Sequence, residues 1–171
     1  TNSFKTSIEY LSKLLHVEHT VLPLSEDCLT LMGEATDGEI IEGEENITKA
    51  NKEYSRIFYK EEPHVFPEVF DKINEADLII ISMGSLYTSV MPHLICPDVV
   101  KSINNSKAKV MYICNAMTQP GETDNFTVND HVQTLEKYLG KNTIDAVIAT
   151  NTIINDELLE KYATEEQKDP V

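Results

Sequence analysis

Hydroxyl side chains follow directly after one apolar run of the chain. The run ADLIII is succeeded by SMGSLYTS at residues 82–89. Gly84 permits a close backbone approach or a positive φ, and Ser85, Thr88 and Ser89 place hydroxyls beside the free N–H groups of a predicted helix start. This combination suits an anion such as phosphate. Helix capping by Ser85 or Thr88 explains the same residues without a ligand.

A second polar loop follows the apolar run AKVMYIC. Residues 115–131 read NAMTQPGETDNFTVNDH, and a loop of this length at the end of a central strand is more often functional than idle. The amide of Asn115 can orient a ribose, a base or a phosphate, and Glu122 and Asp124 can accept hydrogen bonds from sugar hydroxyls. His131 can donate to a phosphate or act as an acid or base. These residue types favour a phosphorylated, sugar-containing ligand.

Structural roles explain part of the second loop equally well. Thr127 followed by Asp130 matches a capping box, in which each residue satisfies the other at a helix start. The apolar stripe of the following helix is formed by Val128, Val132, Leu135 and Leu139, with Gly140 as its C-cap. His131 is then a first-turn neighbour of that stripe, and its role stays open.

The third loop, TNTIINDELLEKY, carries fewer signals. Asn151 lies where a third ligand contact would come, while Asn155 or Asp156 can cap the last helix. Tyr162 is either a core residue at a helix end or a ring that stacks on a ligand. The sequence does not distinguish between these two roles.

The elements that position these loops alternate from Pro67 onward. Helices are predicted at PEVFDKINEA, YTSVMPHLICPDVVKSINN, TVNDHVQTLEKYLG and NDELLEKYAT, and strands at DLIIIS, AKVMYICN and IDAVIAT. Continuous apolar strands between helices indicate buried parallel strands. We therefore predict an α/β fold over residues 66–171, with a Rossmann-like parallel sheet and helices on both faces. Ligands of such sheets bind beyond the carboxyl ends of the strands.

Residues 1–65 differ in character and predict a small β-rich appendage. FKTSIEYLSKLLHV has the spacing of a short amphipathic helix that packs on an apolar surface. The segments HTVLPL, CLTLMGEA, EIIEGE and SRIFY have β character, and TDGE at 36–39 predicts a hairpin turn between two of them. The acidic run EGEEN is predicted to form a solvated turn.

Composition excludes several classes of function. The chain has 171 residues and a formal net charge of −15, with Arg56 as its one arginine, so a nucleic acid partner is not expected. No apolar stretch approaches a membrane span, and the first ten residues lack the pattern of a signal peptide. We expect a cytoplasmic protein. Cys28, Cys96 and Cys114 lack CxxC spacing, which predicts buried free thiols rather than disulfides or structural zinc.

The chain resembles a known family over nearly its whole length. The strings ADLIIISMGSLYTSVMPHLI, KVMYICNAMTQPGETDNFTVNDHVQTLEKYLG and IDAVIATNTIINDELLEKYATEEQKDPV are similar to the YvcK-like gluconeogenesis factors. These proteins are relatives of 2-phospho-L-lactate transferase in the CofD family. The segment VLPLSEDCLTLMGEATDGEIIEGEENI also resembles them. SLYTS and MTQPGETD are the most specific parts of the resemblance.

The resemblance implies a Rossmann-like protein of the bacterial cytosol that binds a nucleotide sugar, UDP-N-acetylglucosamine in particular. It also implies a regulator of cell-wall precursor supply and cell shape, without established catalysis, that acts on a protein partner. Carried over by position, the phosphate loop is Gly84, Ser85, Leu86, Tyr87, Thr88 and Ser89. The adjoining wall is Asn115, Met117, Thr118, Gly121, Glu122, Thr123 and Asp124, with Tyr162 as a further contact.

This sequence departs from the family pattern in three places. Ser82-Met83 stands where the family has Gly-Pro, and His93 replaces an Asn. The family's first strand and its glycine-rich GGGTG loop have no counterpart here, and family chains continue past Val171. The resemblance therefore indicates the C-terminal half to two-thirds of such a protein without its last portion. A sheet without its first strands exposes apolar edges and half a cleft. We expect weak nucleotide binding unless another chain or a homo-oligomer covers that surface.

Two enzymatic alternatives remain at this point. A CofD-like transferase would move a phospholactate-type group from a nucleotide diphosphate adduct, and a divalent metal is expected only in that case, with Glu122 and Asp124 as the nearest candidate ligands. A dinucleotide-dependent oxidoreductase is supported by fold analogy alone. The chain contains no GxGxxG sequence, which disfavours that reading.

Overall fold

The fold is described here from a computed structural model that covers residues 3–152, 154–166 and 168–171. Its elements are α1 (Phe4–Leu14), β1 (Leu31–Ala35), β2 (Ile40–Glu42), α2 (Glu44–Lys49), β3 (Tyr54–Tyr59), α3 (Pro67–Glu75), β4 (Leu78–Ile81), α4 (Met91–Leu94), α5 (Pro97–Asn105), β5 (Lys109–Ile113), α6 (Val128–Leu139), β6 (Ala146–Ile148) and α7 (Asp156–Lys161). Wider π-helical turns span Leu86–Val90 and Tyr162–Glu166. None of the helices within these ranges is long and apolar enough to cross a membrane.

A three-stranded parallel sheet organises the second part of the chain. Its strand order is β4-β5-β6, with Ile79 opposite Val110 and Tyr112 opposite Val147. Helices flank this sheet, and a separate antiparallel sheet precedes it, so the predicted α/β class is confirmed. Because parallel strands end at the same edge, the loops after β4 and β5 lie side by side.

The parallel strands do not bury all of their side chains. Ile81, Val110 and Tyr112 are buried in one hydrophobic core with residues of α4, α5 and α6. Leu78 and Ile80 alternate with buried or partly buried positions of β4 and are exposed, and the consecutive residues Val147 and Ile148 of β6 are both exposed. The prediction of fully buried strands was therefore wrong for these positions, because the described residues cover neither this face of β4 nor the edge strand β6. The exposed apolar surface expected from the sequence is present.

The antiparallel sheet has the strand order β2-β1-β3. Its predicted hairpin is confirmed: the Gly38 N–H donates to the Ala35 carbonyl at 2.9 Å, and Gly38 has φ +88°. The EGEEN segment joins the last residue of β2 to the first turn of α2 rather than forming a solvated turn, because Gly43 (φ +94°) redirects the chain and acidic residues favour a helix N-terminus. HTVLPL contains no strand, and the bridge nearest it joins Ser25 to Val65.

Helix α1 forms as predicted but does not bury its apolar side. The Ser3 side chain caps the helix by accepting the Thr6 N–H. Leu11, Leu14 and Leu15 are all exposed, which contradicts the predicted packing on an apolar surface. An ion pair between Lys5 and Glu68 joins α1 to α3. Polar contacts therefore anchor this helix, and its leucines remain available at the surface.

The two sheets contribute to one hydrophobic core. Tyr54 of β3 packs edge-on against Tyr87, with ring centroids 5.5 Å apart. The Ile57 N–H donates to the Tyr138 hydroxyl at 2.8 Å, which joins β3 to α6. The division of the chain near residue 65 stays a sequence prediction. These contacts show how closely its two parts pack.

Candidate functional site

The side chain of Asn115 connects the loops that follow β4 and β5. Its Oδ1 accepts the Gly84 N–H at 3.1 Å, and its Nδ2 donates to the Gly84 carbonyl at 2.8 Å. Both backbone groups of one residue are thereby satisfied by one amide. The bonds bring Gly84 and Asn115, two residues proposed from separate loops, together at the carboxyl edge of the parallel sheet.

Glu122 lies at the centre of the predicted site, with 4% of its surface exposed. Its carboxylate accepts five hydrogen bonds, from Thr48 Oγ1 (2.8 Å), Thr88 Oγ1 (3.2 Å) and Gln119 Nε2 (3.2 Å) to Oε1, and from Ser85 Oγ (2.5 Å) and the Tyr87 N–H (3.1 Å) to Oε2. All five donors are neutral. A buried carboxylate loses its hydration, and hydrogen bonds to the charged form offset that cost.

The hydroxyls predicted to hold a phosphate therefore contact an internal carboxylate. Ser85 and Thr88 both donate to Glu122. The capping role left open by the sequence is also present, since Ser85 Oγ accepts the Thr88 N–H at 3.3 Å. Ser89 is exposed and remains accessible to a ligand. Leu86 and Tyr87 are buried, and burial raises the pKa of Tyr87 to about 12.

Gly84 and Gly121 serve different geometric needs. A Cβ at Gly84 would lie 3.3 Å from the Ser89 Cβ, so Gly84 supplies room for a tight turn rather than a left-handed conformation. Gly121 has φ +78°, and a Cβ there would lie 2.3 Å from the Thr48 carbonyl oxygen. Gly121 thus lets the second loop approach the end of α2 closely.

Two further residues of the second loop shape that turn. Asp124 Oδ2 accepts the Gly121 N–H at 2.8 Å, and its side chain is exposed. Thr123 is wholly buried, and its Oγ1 accepts the Gln119 N–H at 2.8 Å. Thr123 therefore stabilises the loop from inside, whereas Asp124 remains accessible at the surface.

Met117 and Thr118 pair with residues near the end of the described chain. Thr118 donates its N–H to the Asp169 carbonyl at 2.7 Å, and the Asp169 N–H donates to Thr118 Oγ1 at 2.9 Å. Met117 forms a bridge with Pro170, and the Val171 N–H donates to the Ala116 carbonyl at 3.2 Å. Backbone pairing accounts for the position of these two predicted wall residues.

His131 is buried away from the solvent, with no exposed surface. Its Nδ1 lies 3.1 Å from the Tyr112 hydroxyl, and Phe126 packs edge-on against the ring. Nε2 has no hydrogen-bond partner among the described residues. Burial lowers the pKa of His131. The alternative in which His131 belongs to the apolar side of α6 accounts for this placement, and the capping box of Thr127 and Asp130 is confirmed.

Tyr162 is half-buried at the C-terminal end of α7. Its carbonyl accepts the Lys168 N–H at 3.1 Å, which places Tyr162 beside the segment that pairs with Thr118. Of the two residues considered as caps for the last helix, Asn155 is the cap, since its Oδ1 accepts the Leu158 N–H at 2.8 Å. A ligand contact through Tyr162 stays a prediction.

The sequence reasoning missed Thr48 and Gln119. Thr48 lies 74 positions before Glu122, in the segment predicted to be a separate appendage. No local pattern links two residues so far apart in the sequence. Gln119 lies inside the MTQPGETD string, where a buried carboxylate three positions later would have suggested a side-chain donor.

An apolar cavity of about 400 Å³ adjoins Gly84. Its walls include Ile79 and Ile81 of β4, and its polar rim includes Ser82, Ser89 and His93. This volume lies in the range of small-molecule pockets, which are mostly apolar with a few polar groups at defined places. The cavity therefore offers space for a ligand beside the first loop.

Glu122 is unsuited to metal coordination. Both of its oxygens accept hydrogen bonds from surrounding donors, so a cation at Glu122 would have to displace those donors. No group of three or more His, Cys, Asp or Glu within residues 3–152, 154–166 and 168–171 has an arrangement that could hold a metal ion. Glu122, one of the two metal ligands considered for a transferase, therefore does not suit that role as it is placed here.

Comparison with known proteins identifies similar chains. A family model described as 2-phospho-L-lactate transferase CofD matches residues 1–171. A gluconeogenesis factor of Halalkalibacterium halodurans is 40% identical over 172 residues, which cover 100% of this chain and 53% of that protein. A gluconeogenesis factor of Bacillus subtilis is 40% identical over 166 residues, covering 96% of this chain and 52% of that protein.

A solved structure extends the similarity to three dimensions. The crystal structure of a UPF0052 family protein from Bacillus halodurans has a TM-score of 0.92 and 40% sequence identity, and the match covers 98% of this chain and 55% of that chain. This chain thus spans about half the length of the proteins that it matches.

Proposed function

Because this chain belongs to the family described as 2-phospho-L-lactate transferase CofD, we propose that it binds a nucleotide sugar of the UDP-N-acetylglucosamine type and acts as a regulator. The names of its relatives support a role in gluconeogenic growth. In this proposal the protein is cytoplasmic and adjusts the supply of cell-wall precursors through a protein partner.

The observation that carries this proposal is the double hydrogen bond between Asn115 and Gly84. It joins the loops after β4 and β5 at the edge where parallel sheets bind their ligands. Asn115 uses both ends of its amide in this bond, so its contribution to binding is to set the distance between the two loops. A ligand that spans both loops would depend on that distance.

The accessible polar groups around this junction suit a sugar and its phosphate. Ser82 and Ser89 border the cavity beside Gly84, and Asp124 is exposed on the second loop. Serine hydroxyls can donate to phosphate oxygens, and a carboxylate can accept from sugar hydroxyls. The apolar wall of the cavity provides a surface for a planar or aliphatic part of the ligand.

A transferase is the second candidate function, and the description of the matching family favours it. Transfer of a phosphoryl-linked group needs cationic or hydrogen-bonding groups directed at the charge that develops in the transition state. Glu122 is unavailable as a metal ligand, because its oxygens are engaged with Ser85, Thr88 and other donors. The regulatory proposal requires no such group.

Calorimetric titration with UDP-N-acetylglucosamine tests the proposal. The full-length protein, the 171-residue chain and full-length Asn115→Ala and Thr88→Ala variants are compared, with Thr127→Ala as the matched control that removes a hydroxyl from the α6 cap. If the affinity falls at least tenfold, or by about 1.4 kcal/mol, in Asn115→Ala and Thr88→Ala but not in Thr127→Ala, the proposed site is supported. Absence of binding to the full-length protein would overturn the proposal.

Product analysis separates the two candidate functions. The full-length protein is incubated with UDP-N-acetylglucosamine under the conditions of the titration, and the nucleotide is analysed by chromatography. Recovery of unchanged ligand after saturable binding supports a regulator. Conversion of the ligand to a new product would favour the transferase.

A further inference from the structure

The donors around Glu122 form an anion site that the chain itself fills. Three of them, Ser85 Oγ, Thr88 Oγ1 and the Tyr87 N–H, come from the loop after β4. Thr48 Oγ1 comes from α2, and Gln119 Nε2 comes from the same loop as Glu122. One carboxylate thus connects three separate segments at a point that solvent hardly reaches.

From this arrangement we propose that Glu122 is the positioning residue of the ligand site. Its carboxylate takes the place that an external anion would otherwise occupy among the donors of residues 85–88, and it holds the loop in one conformation. The ligand phosphate consequently meets the outer side of the loop, where Ser82 and Ser89 are exposed. Only this last step rests on the proposed function.

The charges of the site support an internal anion over an external one. The donors are neutral, and the chain carries a formal net charge of −15. An external phosphate at this point would compete with the Glu122 carboxylate for the same neutral donors, and two acidic groups a few ångströms apart in a partly dry site disfavour each other. The loop therefore rejects free phosphate as long as Glu122 is present.

Because Thr48 belongs to α2 and donates to Glu122, the effect of Glu122 extends to α2. Thr48 also presents its carbonyl oxygen to Gly121, where only glycine fits. Removal of the carboxylate would release the loop after β4 and the contact between α2 and the second loop together. We expect the position of Asn115 relative to Gly84 to become less well defined in consequence.

Three substitutions separate charge from shape. Glu122→Gln keeps the size of the side chain but removes the charge and replaces one of its two acceptor oxygens with an NH₂ group. The remaining oxygen can still accept the Tyr87 N–H, in a weaker bond than a carboxylate forms, and the NH₂ then faces the hydroxyls of Thr48 and Thr88, which can rotate to accept. Glu122→Ala leaves a cavity lined by donors, which a small carboxylate can enter. Thr48→Val removes a single donor and is the mildest change of the series.

Amide hydrogen exchange of the ligand-free full-length protein is the first measurement. We expect the Tyr87 amide to exchange at least tenfold faster in Glu122→Ala, which removes its acceptor, than in the wild type, with intermediate rates in Glu122→Gln and Thr48→Val. Sodium formate is expected to restore protection in Glu122→Ala alone. Thr127→Ala is the control, because it weakens the cap of α6 and leaves residues 85–88 unchanged. Unchanged exchange at Tyr87 in every folded variant of the series would overturn the proposal.

Titration with inorganic phosphate at constant ionic strength is the second measurement. We expect saturable chemical shift changes at residues 85–88 in Glu122→Ala and none in the wild type. Binding of phosphate to these residues of the wild type would contradict the proposal. Where Glu122→Ala does not fold, Glu122→Gln and Thr48→Val still decide the exchange result.

The affinity for UDP-N-acetylglucosamine then tests the positioning role. It is expected to fall at least tenfold in folded Glu122→Gln, at a temperature well below the unfolding of every variant. An affinity equal to that of the wild type would overturn the positioning role. If the wild type does not bind UDP-N-acetylglucosamine, the proposed function is refuted. The exchange and phosphate results then show separately whether Glu122 acts as an internal anion.

Discussion

The amide of Asn115 exchanges two hydrogen bonds with the backbone of Gly84, although the two residues lie 31 positions apart. A single side chain thereby fixes the separation of the two loops at the carboxyl edge of the sheet. Because both bonds involve one planar group, a change at either end of the amide has a distinct and measurable effect.

Replacement of Asn115 tests this junction. Asn115→Leu should lower the free energy of unfolding by about 2 kcal/mol, because two hydrogen bonds are lost at about 1 kcal/mol each. Asn115→Asp keeps the acceptor for the Gly84 N–H but sets a carboxylate oxygen against the Gly84 carbonyl, so it should also destabilise the protein. Urea denaturation measures both values. Asn151→Leu, at an exposed loop position, is the control, and equal effects at Asn115 and Asn151 would contradict the assigned role.

Gly121→Ala should destabilise the protein much more than Gly38→Ala. Both glycines have positive φ, which costs a non-glycine residue about 1 kcal/mol or more. A Cβ at Gly38 meets nothing within 4 Å, whereas a Cβ at Gly121 would lie 2.3 Å from the Thr48 carbonyl oxygen. We expect a loss of about 1 kcal/mol at Gly38 and about 3 kcal/mol or more at Gly121, measured by urea denaturation. Similar losses in Gly38→Ala and Gly121→Ala would show that the backbone around Gly121 moves to accommodate a Cβ.

His131 should make stability fall at mildly acidic pH. Burial lowers its pKa in the folded state, against the opposing influence of Asp130, so the folded protein keeps the ring neutral at a pH where the unfolded chain already binds a proton. The contribution of the neutral His131 ring to the unfolding free energy is complete above the pKa of His131 in the unfolded chain, about 6.5. It decreases as the pH falls from there toward the folded pKa.

The matched variant for this pH effect is His131→Gln, which has no titrating ring. The difference in unfolding free energy between wild type and variant should shrink between about pH 7 and pH 5. Tyr112, Phe126 and Asp130 surround the ring, and the pKa of Asp130 is lowered by its bonds with Thr127, so Asp130 titrates below this window. A difference independent of pH would contradict the assignment to His131.

The three cysteines should react at different rates with iodoacetamide. Cys28 is exposed, which corrects the sequence prediction of buried thiols, whereas Cys96 and Cys114 are buried. Burial raises the pKa of Cys96 to about 11 and also raises that of Cys114, so both remain protonated at pH 8. Mass spectrometry should find one label in the native protein. Cys28→Ser should remove it, and rapid labelling of Cys96 would contradict the structure.

Local patterns predicted the elements of the fold well. The capping box at Thr127 and the glycine turn at Gly38 are specified within a few residues and form as expected. Segment EGEEN was predicted as a turn, because its acidic residues carry no apolar period. The Gly43 turn and the burial of Ile47 under the sheet then favour a helix there.

Contacts between segments far apart in the chain could not be predicted from the sequence. Some residues of the two loops were identified from their types and the others from the family resemblance, yet nothing local indicates that the hydroxyls of Ser85 and Thr88 face Glu122. Thr48 contributes from a segment assigned to another part of the fold. The exposed apolar surface of the parallel sheet was expected only from the family resemblance, because a strand's own sequence does not show what covers it.

The pairing of Thr118 with Asp169 also sets an order of events during synthesis. The two residues are separated by 51 positions, which a ribosome adds in roughly 3 to 10 s at typical rates. The parallel strands can assemble during that interval, but the loop after β5 lacks its last backbone partner until Asp169 has emerged. The site is therefore completed only after the strands that carry it have been made.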